Sequence, residues 1–357
     1  MKHLSLIVCA FAVLACTHTT APKMTSEAQA VLEKMQAATA QNQFYFGQED
    51  FAFYGTFWEY EPGRSDVKEV CGSAPAVLGC DLGHLELDAT ENLDGVPFDV
   101  MRSAMVSQYQ AGGLVTVSWH ARNPLTGGDA WDISDSTVVA SILAGGANHE
   151  KFMSWLEKVA VFLESVKTPD GKLVPIIFRP WHEHSGSWFW WGKDLCSVEE
   201  YNGLWVMTMD YLRGRGLTNL ITAISPNAVI TKESYLERYP GDDYIDIFGL
   251  DAYDNVEATQ YVASTREQLA IVADLAKAHG KIAALTECGL GGLPKAQWYT
   301  QTVLPIVDGI PVAYVLVWRN AQDSLKPGHF YAPYPGHPAS EDFIQFFQDS
   351  RTRFLGE

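Results

Sequence analysis

The sequence predicts a single α/β domain of the (β/α)8 TIM-barrel type, because eight strand-like apolar runs alternate with helical patterns along its 357 residues. Most of these runs are continuously apolar, as parallel strands covered on both faces are. Polar side chains recur directly after the runs, at the end of the strands where such barrels place their chemistry. A chain of this length can hold one large domain or two smaller ones, and the eight alternations favour one.

The predicted elements follow one another without a linker or an internal repeat. The strands are predicted at residues 44–47, 76–81, 113–120, 174–182, 220–225, 245–251, 282–287 and 312–318. The helices are predicted at residues 98–110, 149–166, 198–213, 263–279, 295–306 and 342–353. Ser197 is suited to cap the helix that starts at Val198, and Gly280 to end the helix before it. We therefore predict one domain over residues 26–357.

The N-terminal residues have the pattern of an export signal. Positive charge at the start is followed by a mostly apolar stretch, residues 4–15, which is too short to span a bilayer. Residues 13–16 resemble the lipobox of bacterial lipoproteins, in which Cys16 would carry the lipid. We predict a signal peptide over 1–15, a tether over 16–25, and a protein anchored by lipid in the periplasm or outer membrane of a Gram-negative bacterium. A signal cleaved elsewhere, with Cys16 uninvolved, is the alternative.

Charge and cysteine content exclude several classes of protein. There are 43 acidic and 25 basic residues, a net charge of -18, with no basic cluster, which argues against nucleic-acid binding. Cys71 and Cys80 are close in sequence and could form a disulfide in an exported protein. No cysteine or histidine spacing fits a structural zinc site.

Polar residues stand at or just after the end of six predicted strands. They are His120; Arg179, His182 and Glu183; Asn227; Asp251 and Tyr253; Glu287; and Arg319 and Asn320 after Trp318. Any one of them could equally be a satisfied side chain at the barrel mouth. Their recurrence at one end of so many strands favours a functional site there.

Glu183 and Glu287 are the strongest catalytic candidates, because strands four and seven approach each other across the mouth of an eight-stranded barrel. Two carboxyl groups can cleave a glycosidic bond, one by protonating the leaving oxygen and the other by attacking the anomeric carbon. The acid needs surroundings that raise its pKa, and the nucleophile must stay ionised, for which Arg179 is suited. Three tryptophans could supply the apolar surroundings of Glu183: Trp181, Trp188 and Trp190.

Five ordered segments resemble family 26 of the glycoside hydrolases, clan A-type barrels that are mainly β-mannanases. The segments are Arg179-Pro180-Trp181-His182-Glu183, with Gly186 and Trp188-Phe189-Trp190-Trp191-Gly192 after it; Thr286-Glu287-Cys288-Gly289; Ser118-Trp119-His120; Asp251-Ala252-Tyr253; and Trp318-Arg319-Asn320. The resemblance runs from about Phe46 to the C-terminus. It implies a retaining double displacement with Glu183 as acid/base and Glu287 as nucleophile, a mechanism that requires no metal or organic cofactor.

The resemblance also implies which residues surround the attacked sugar: His120, His182, Trp188, Tyr253 and Trp318. Arg179, Asp251 and Arg319 are expected to support the site. One departure concerns His184-Ser185, since many relatives have Met-Asn after the His-Glu pair. That departure leaves the contacts on the leaving-group side open.

The predicted function is therefore hydrolysis of β-1,4-mannosidic linkages in mannan, galactomannan or mannooligosaccharides by a monomer. Alternatives are a mannan-binding lipoprotein without catalysis, and a relative that acts on β-glucan or β-xylan. A metal-dependent amidohydrolase-like barrel is a further alternative, because His182 and His184 could share a strand face.

Overall fold

Eight parallel strands form a closed barrel in the structure, a computed structural model that describes residues 23–229, 231–255 and 258–356. They are β1 (Phe44–Glu49), β2 (Val77–Asp81), β3 (Leu114–Trp119), β4 (Ile176–Pro180), β5 (Leu220–Ile224), β6 (Ile247–Tyr253), β7 (Ile282–Gly289) and β8 (Val312–Val317). The barrel closes because β1 pairs with β2 on one side and with β8 on the other. The predicted (β/α)8 barrel is confirmed. The predicted signal peptide, Cys16 and most of the tether lie outside the described residues.

Helices connect the strands on the outside of the barrel. They are α1 (Ser26–Ala40), α2 (Asp66–Cys71), α3 (Phe98–Gln110), α4 (Val138–Ile142), α5 (His149–Ser165), α6 (Val198–Gly214), α7 (Lys232–Leu236), α8 (Ala258–Ala278), α9 (Leu304–Val307) and α10 (Ser340–Phe347). The predicted cap of α6 is present, since Ser197 Oγ accepts from Glu200 N at 3.1 Å and Glu200 Oε2 accepts from Ser197 N at 2.7 Å. This reciprocal pair satisfies two free backbone donors and fixes where the helix starts.

The helix α1, which the sequence did not predict, packs against the end of the barrel opposite the site. Its buried face is made of Ala28, Val31, Met35 and Ala38. These side chains share one apolar cluster with interior residues near the starts of the strands, among them Tyr45. The helix therefore closes the N-terminal end of the barrel and belongs to the domain.

Two of the predicted helices are shorter or differently formed. The stretch 295–306 contains a π-helical turn at Tyr299–Val303 before α9, where Pro305 has no amide hydrogen to donate. The stretch 342–353 is a helix only to Phe347, and Thr352–Arg353 then forms a short strand, β9, that pairs with the start of β1. The prediction of one continuous helix over 342–353 was wrong, because pairing with β1 replaces the last turns.

The disulfide considered between Cys71 and Cys80 is absent. Cys80 lies in β2 as a buried thiol, and burial raises its pKa well above the usual value. No helix in the described part of the chain is long and apolar enough to cross a bilayer.

Candidate active site

Arg179 is a buried cation that joins two carboxylates at the mouth of the barrel. Its Nη1 donates to Asp251 Oδ2 at 2.9 Å and to Ser225 Oγ at 3.0 Å, and its Nη2 donates to Glu287 Oε1. Burial alone disfavours the charged guanidinium, but the charges of Asp251 and Glu287 outweigh burial and raise the pKa of Arg179. The guanidinium therefore stays charged and fixes Glu287 in one orientation.

Both carboxylate oxygens of Glu287 have donors. Besides Arg179, Tyr253 donates its hydroxyl to Glu287 Oε2 at 2.6 Å. Burial and the charge of Glu287 raise the pKa of Tyr253 well above its usual value, so the hydroxyl keeps its proton. Asp251 is held as well, because Thr286 Oγ1 donates to its Oδ1 at 2.6 Å. The side chains of Glu287 and Asp251 are therefore both fixed by hydrogen bonds from neighbouring strands.

Glu183 has different surroundings from Glu287. Its backbone lies in the left-handed region, with φ of 52°, and its amide donates to Ser225 O at 2.7 Å. A non-glycine residue held in this region marks a site that the surrounding structure fixes. Burial, and then the negative charge of Glu287, raise the pKa of Glu183 to about 7, while the hydrogen bond from Trp188 Nε1 to Glu183 Oε2 (2.7 Å) opposes the rise. A carboxyl group of this pKa can both give and take a proton near neutral pH.

His120 and His182 form a pair beside the two glutamates. His120 Nδ1 lies 2.7 Å from Asp81 Oδ2, and the Nε2 atoms of the two histidines are 3.2 Å apart. Burial acts against a charged His120, but the adjacent carboxylate of Asp81 prevails and raises its pKa. Burial, and then the charge of His120, lower the pKa of His182 well below its usual value. The two imidazoles therefore differ in their tendency to be charged, and both lie at the mouth, where ring nitrogens can bind hydroxyl groups.

Aromatic rings stand around these groups on the open side of the site. Trp188, beside Glu183, is 38% exposed, and Trp131 is 48% exposed. The ring of Trp131 stacks on His120, with centroids 5.2 Å apart and planes at 19°. Trp318 stands at 70° to the same imidazole, with centroids 6.3 Å apart. Such rings offer apolar faces to a ligand that also carries polar groups.

Comparison with known proteins identifies the family. The family model for glycosyl hydrolase family 26 matches residues 20–298. The chain belongs to glycoside hydrolase family 26.

Solved and curated proteins resemble this chain over half of its length or more. A GH26 beta-mannanase from Bacteroides ovatus is 50% identical with a TM-score of 0.91, over 93% of this chain and 96% of that one. A mannan endo-1,4-beta-mannosidase from Bifidobacterium adolescentis is 31% identical over 92% of this chain and 34% of its own length. One from Bacillus subtilis is 33% identical over 56% of this chain and 55% of its own length. The chain thus spans about a third and about half of the two curated relatives.

The residues that the family 26 resemblance assigned to the site occupy two neighbouring groups. Glu183, Glu287, His120, His182, Trp188, Tyr253, Trp318, Arg179 and Asp251 surround the mouth described above. Arg319 lies in the second group, where it pairs with Asp94 and donates from Nη1 to Tyr54 Oη at 3.1 Å. The structure thus links Arg319 to the loop after β2. The catalytic and binding roles of all these residues stay predictions.

Four of the family 26 tryptophans belong to the core. Trp119, Trp181, Trp190 and Trp191 are fully buried, and the ring of Trp181 lies 5.2 to 5.4 Å from each of the other three. Of the three tryptophans expected around Glu183, Trp188 is the one that hydrogen-bonds to it. The others support the loop after β4 from behind.

His184 and His182 have different surroundings, although they are two residues apart. His184 is buried with its ring 4.7 Å from that of Tyr201, whereas His182 contacts His120. Within residues 23–229, 231–255 and 258–356, no group of three or more His, Cys, Asp or Glu side chains is arranged to hold a metal ion.

Sequence reasoning missed two residues that touch the site. Asp81 binds His120, and as the last residue of the second predicted strand it fits the pattern of polar strand ends. Trp131 lies in the long loop after β3, where no periodicity marks it. Only the packing of that loop over His120 reveals its position.

Proposed function

We propose that this chain is a retaining glycoside hydrolase that cleaves β-1,4-mannosidic linkages, with Glu183 as acid/base and Glu287 as nucleophile. The observation that carries the proposal is the unequal setting of the two glutamates. Arg179 and Tyr253 each donate a hydrogen bond to Glu287, whereas burial raises the pKa of Glu183 to about 7. Acid/base assignments in glycosidases follow from such differences.

In the first step a carboxylate oxygen of Glu287 attacks the anomeric carbon. The bond from that carbon to the leaving oxygen breaks, and the leaving oxygen takes the proton of Glu183. In the second step Glu183 removes a proton from water, the water oxygen attacks the anomeric carbon, and Glu287 is released. Two inversions give net retention.

The choice of mannan rests on the named relatives. The Bacteroides, Bifidobacterium and Bacillus proteins are called mannanases or mannan endo-1,4-beta-mannosidases. A neutral polysaccharide also suits a site whose open side offers indole rings and imidazoles. We expect mannan, galactomannan and mannooligosaccharides to be the substrates.

Product analysis on these three substrates tests the proposal. We expect mannooligosaccharide products whose first-formed anomer keeps the β configuration, followed by NMR. Glu183→Ala and Glu287→Ala should each lower kcat/KM for mannan about a thousandfold or more, whereas Glu267→Ala on the exposed side of α8 should not. Binding of mannan by the wild-type protein without turnover would instead support a binding lipoprotein, and turnover of β-glucan or β-xylan alone would overturn the substrate.

We also propose that the protein is an exported monomer anchored through Cys16. The apolar stretch before Cys16 and the lipobox-like residues support this. Mass spectrometry of the mature N-terminus should show a lipidated cysteine, and Cys16→Ala should move the protein from the membrane fraction to the soluble fraction. Light scattering of the protein without its first 22 residues should give the mass of one chain.

A further inference from the structure

Ser185, two residues after Glu183, fixes the side chain of Asn227. Ser185 Oγ donates to Asn227 Oδ1 at 2.6 Å and accepts from the amides of Asn227 and Ala228 at 3.0 and 3.1 Å. One hydroxyl therefore joins the loop after β4 to the loop after β5. It bonds to the oxygen end of the Asn227 side-chain amide and so fixes the direction in which the NH2 end points.

The other end of the amide has no such bond. Because Ser185 satisfies Oδ1, the NH2 group is the part of the side chain that remains, and Nδ2 has no hydrogen-bond partner among the residues that the structure describes. Asn227 is only partly buried. An amide donor that is held in one orientation and has no protein partner is suited to bind a polar ligand atom.

Asn227 is tied to the segment that carries the proton donor. The amide of Glu183 donates to Ser225 O, two residues before Asn227, and Ser185 is two residues after Glu183. In the proposed reaction the proton of Glu183 passes to the oxygen that joins the attacked sugar to the leaving sugar. A binding group on the two loops joined beside Glu183 would therefore meet the leaving sugar.

We propose that Asn227 is a substrate-binding residue whose side-chain NH2 donates a hydrogen bond to a hydroxyl of the mannose unit on the leaving-group side, with Ser185 as its positioning residue. This inference rests on the proposed function. Ser185 supplies the hydroxyl that orients the amide.

Two substrates with different leaving groups test the inference. The leaving group of mannotetraose is a sugar, which would contact Asn227, whereas the leaving group of 4-nitrophenyl β-mannobioside is an aryl ring. We expect Asn227→Ala to lower kcat/KM for mannotetraose about fivefold or more and to leave kcat/KM for the aryl substrate within about twofold. Ser185→Ala should give a smaller loss with the same dependence on the leaving group.

The controls separate a contact from a structural effect. Asn202→Ala, a partly buried asparagine on α6, should change neither rate. Thermal unfolding shows whether each variant folds. If Asn227→Ala does not fold, Ser185→Ala still tests the inference. Equal losses on both substrates, or no loss on either, would overturn the inference. Failure of the proposed function would look different, because the wild-type protein itself would then not cleave mannotetraose.

Discussion

At the scale of single residues, the two glutamates of the site differ in how many hydrogen-bond donors reach them. Glu287 accepts from Arg179 and Tyr253, whereas Glu183 accepts one hydrogen bond from Trp188 and lies near the charge of Glu287. Each donor can be removed by replacing one residue, which tests what that donor contributes.

Replacing Trp188 by Phe should raise the pKa of Glu183. The indole donates to the carboxylate and so favours its ionised form, and the phenyl ring keeps an apolar face but no donor. Since the acid must be protonated, the alkaline decline of kcat/KM, expected near pH 7 in the wild-type protein, should move up by about one pH unit. A pH profile measures it, with Trp131→Phe as the matched exposed indole. A decline that stays in place or moves down contradicts the prediction.

Glu49 should lower the stability of the protein as pH rises. It lies at the end of β1, it is 2% exposed, and a Cβ atom on Gly79 would be 1.8 Å from its Oε2, so its carboxyl group lies directly over that glycine. No residue in the described part of the chain hydrogen-bonds to its Oε1. Burial, and then the charges of Asp50 and Glu287, raise its pKa well above the usual value.

The sign follows from which state keeps the proton. Above a pH of about 4.3 the unfolded chain loses the proton of Glu49 while the folded protein keeps it, so each further pH unit costs about 1.4 kcal/mol of unfolding free energy until the folded group also ionises. Glu49→Gln does not titrate. Its unfolding free energy in urea, relative to wild type, should therefore increase from pH 5 to pH 8, and a constant difference would contradict the prediction. Glu267→Gln serves as the exposed control.

At the scale of elements, continuous apolar runs predicted the strands well, because parallel strands buried on both faces need them. The helix α1 escaped prediction because two of its four buried residues are alanines, whose contribution to an apolar stripe is weak. The strand β9 has two residues and depends on pairing with β1, which local sequence does not encode. The site followed the same division: strand-end residues such as Glu183 were predictable, whereas Trp131 reaches the site only through a loop.

The helix α1 should contribute to stability without affecting the chemistry. Met35 is fully buried in the cluster that α1 forms with the barrel interior, and Gln36, next to it, is exposed. Met35→Ala should lower the unfolding free energy by about 2–5 kcal/mol, and Gln36→Ala by less than about 0.5 kcal/mol. Urea unfolding gives both values. In the folded protein kcat/KM should be unchanged, because α1 packs at the opposite end of the barrel, and a large loss of kcat/KM at full folding would contradict this placement.

At the scale of the whole molecule, the net charge of -18 affects the stability of the protein and not the binding of its proposed substrate. A neutral polysaccharide is neither attracted nor repelled by this charge, whereas the folded protein concentrates its own negative charges and repels itself. Salt should therefore change stability and catalysis differently. A charged glycan would behave differently from this substrate class, because salt would then change catalysis as well as stability.

Raising monovalent salt from about 10 mM to about 150 mM shortens the screening length from about 30 Å to about 8 Å. We expect the Tm to rise over this range, because the self-repulsion of a chain with a charge of -18 is screened. We expect kcat/KM for mannotetraose to change by less than about twofold, because no long-range charge steers a neutral sugar to Glu183 and Glu287. Sucrose at matched osmolality separates ionic from osmotic effects on both quantities. A decline of kcat/KM of tenfold or so with salt that matched sucrose does not reproduce would contradict the expectation that net charge plays no part in the turnover of this sugar.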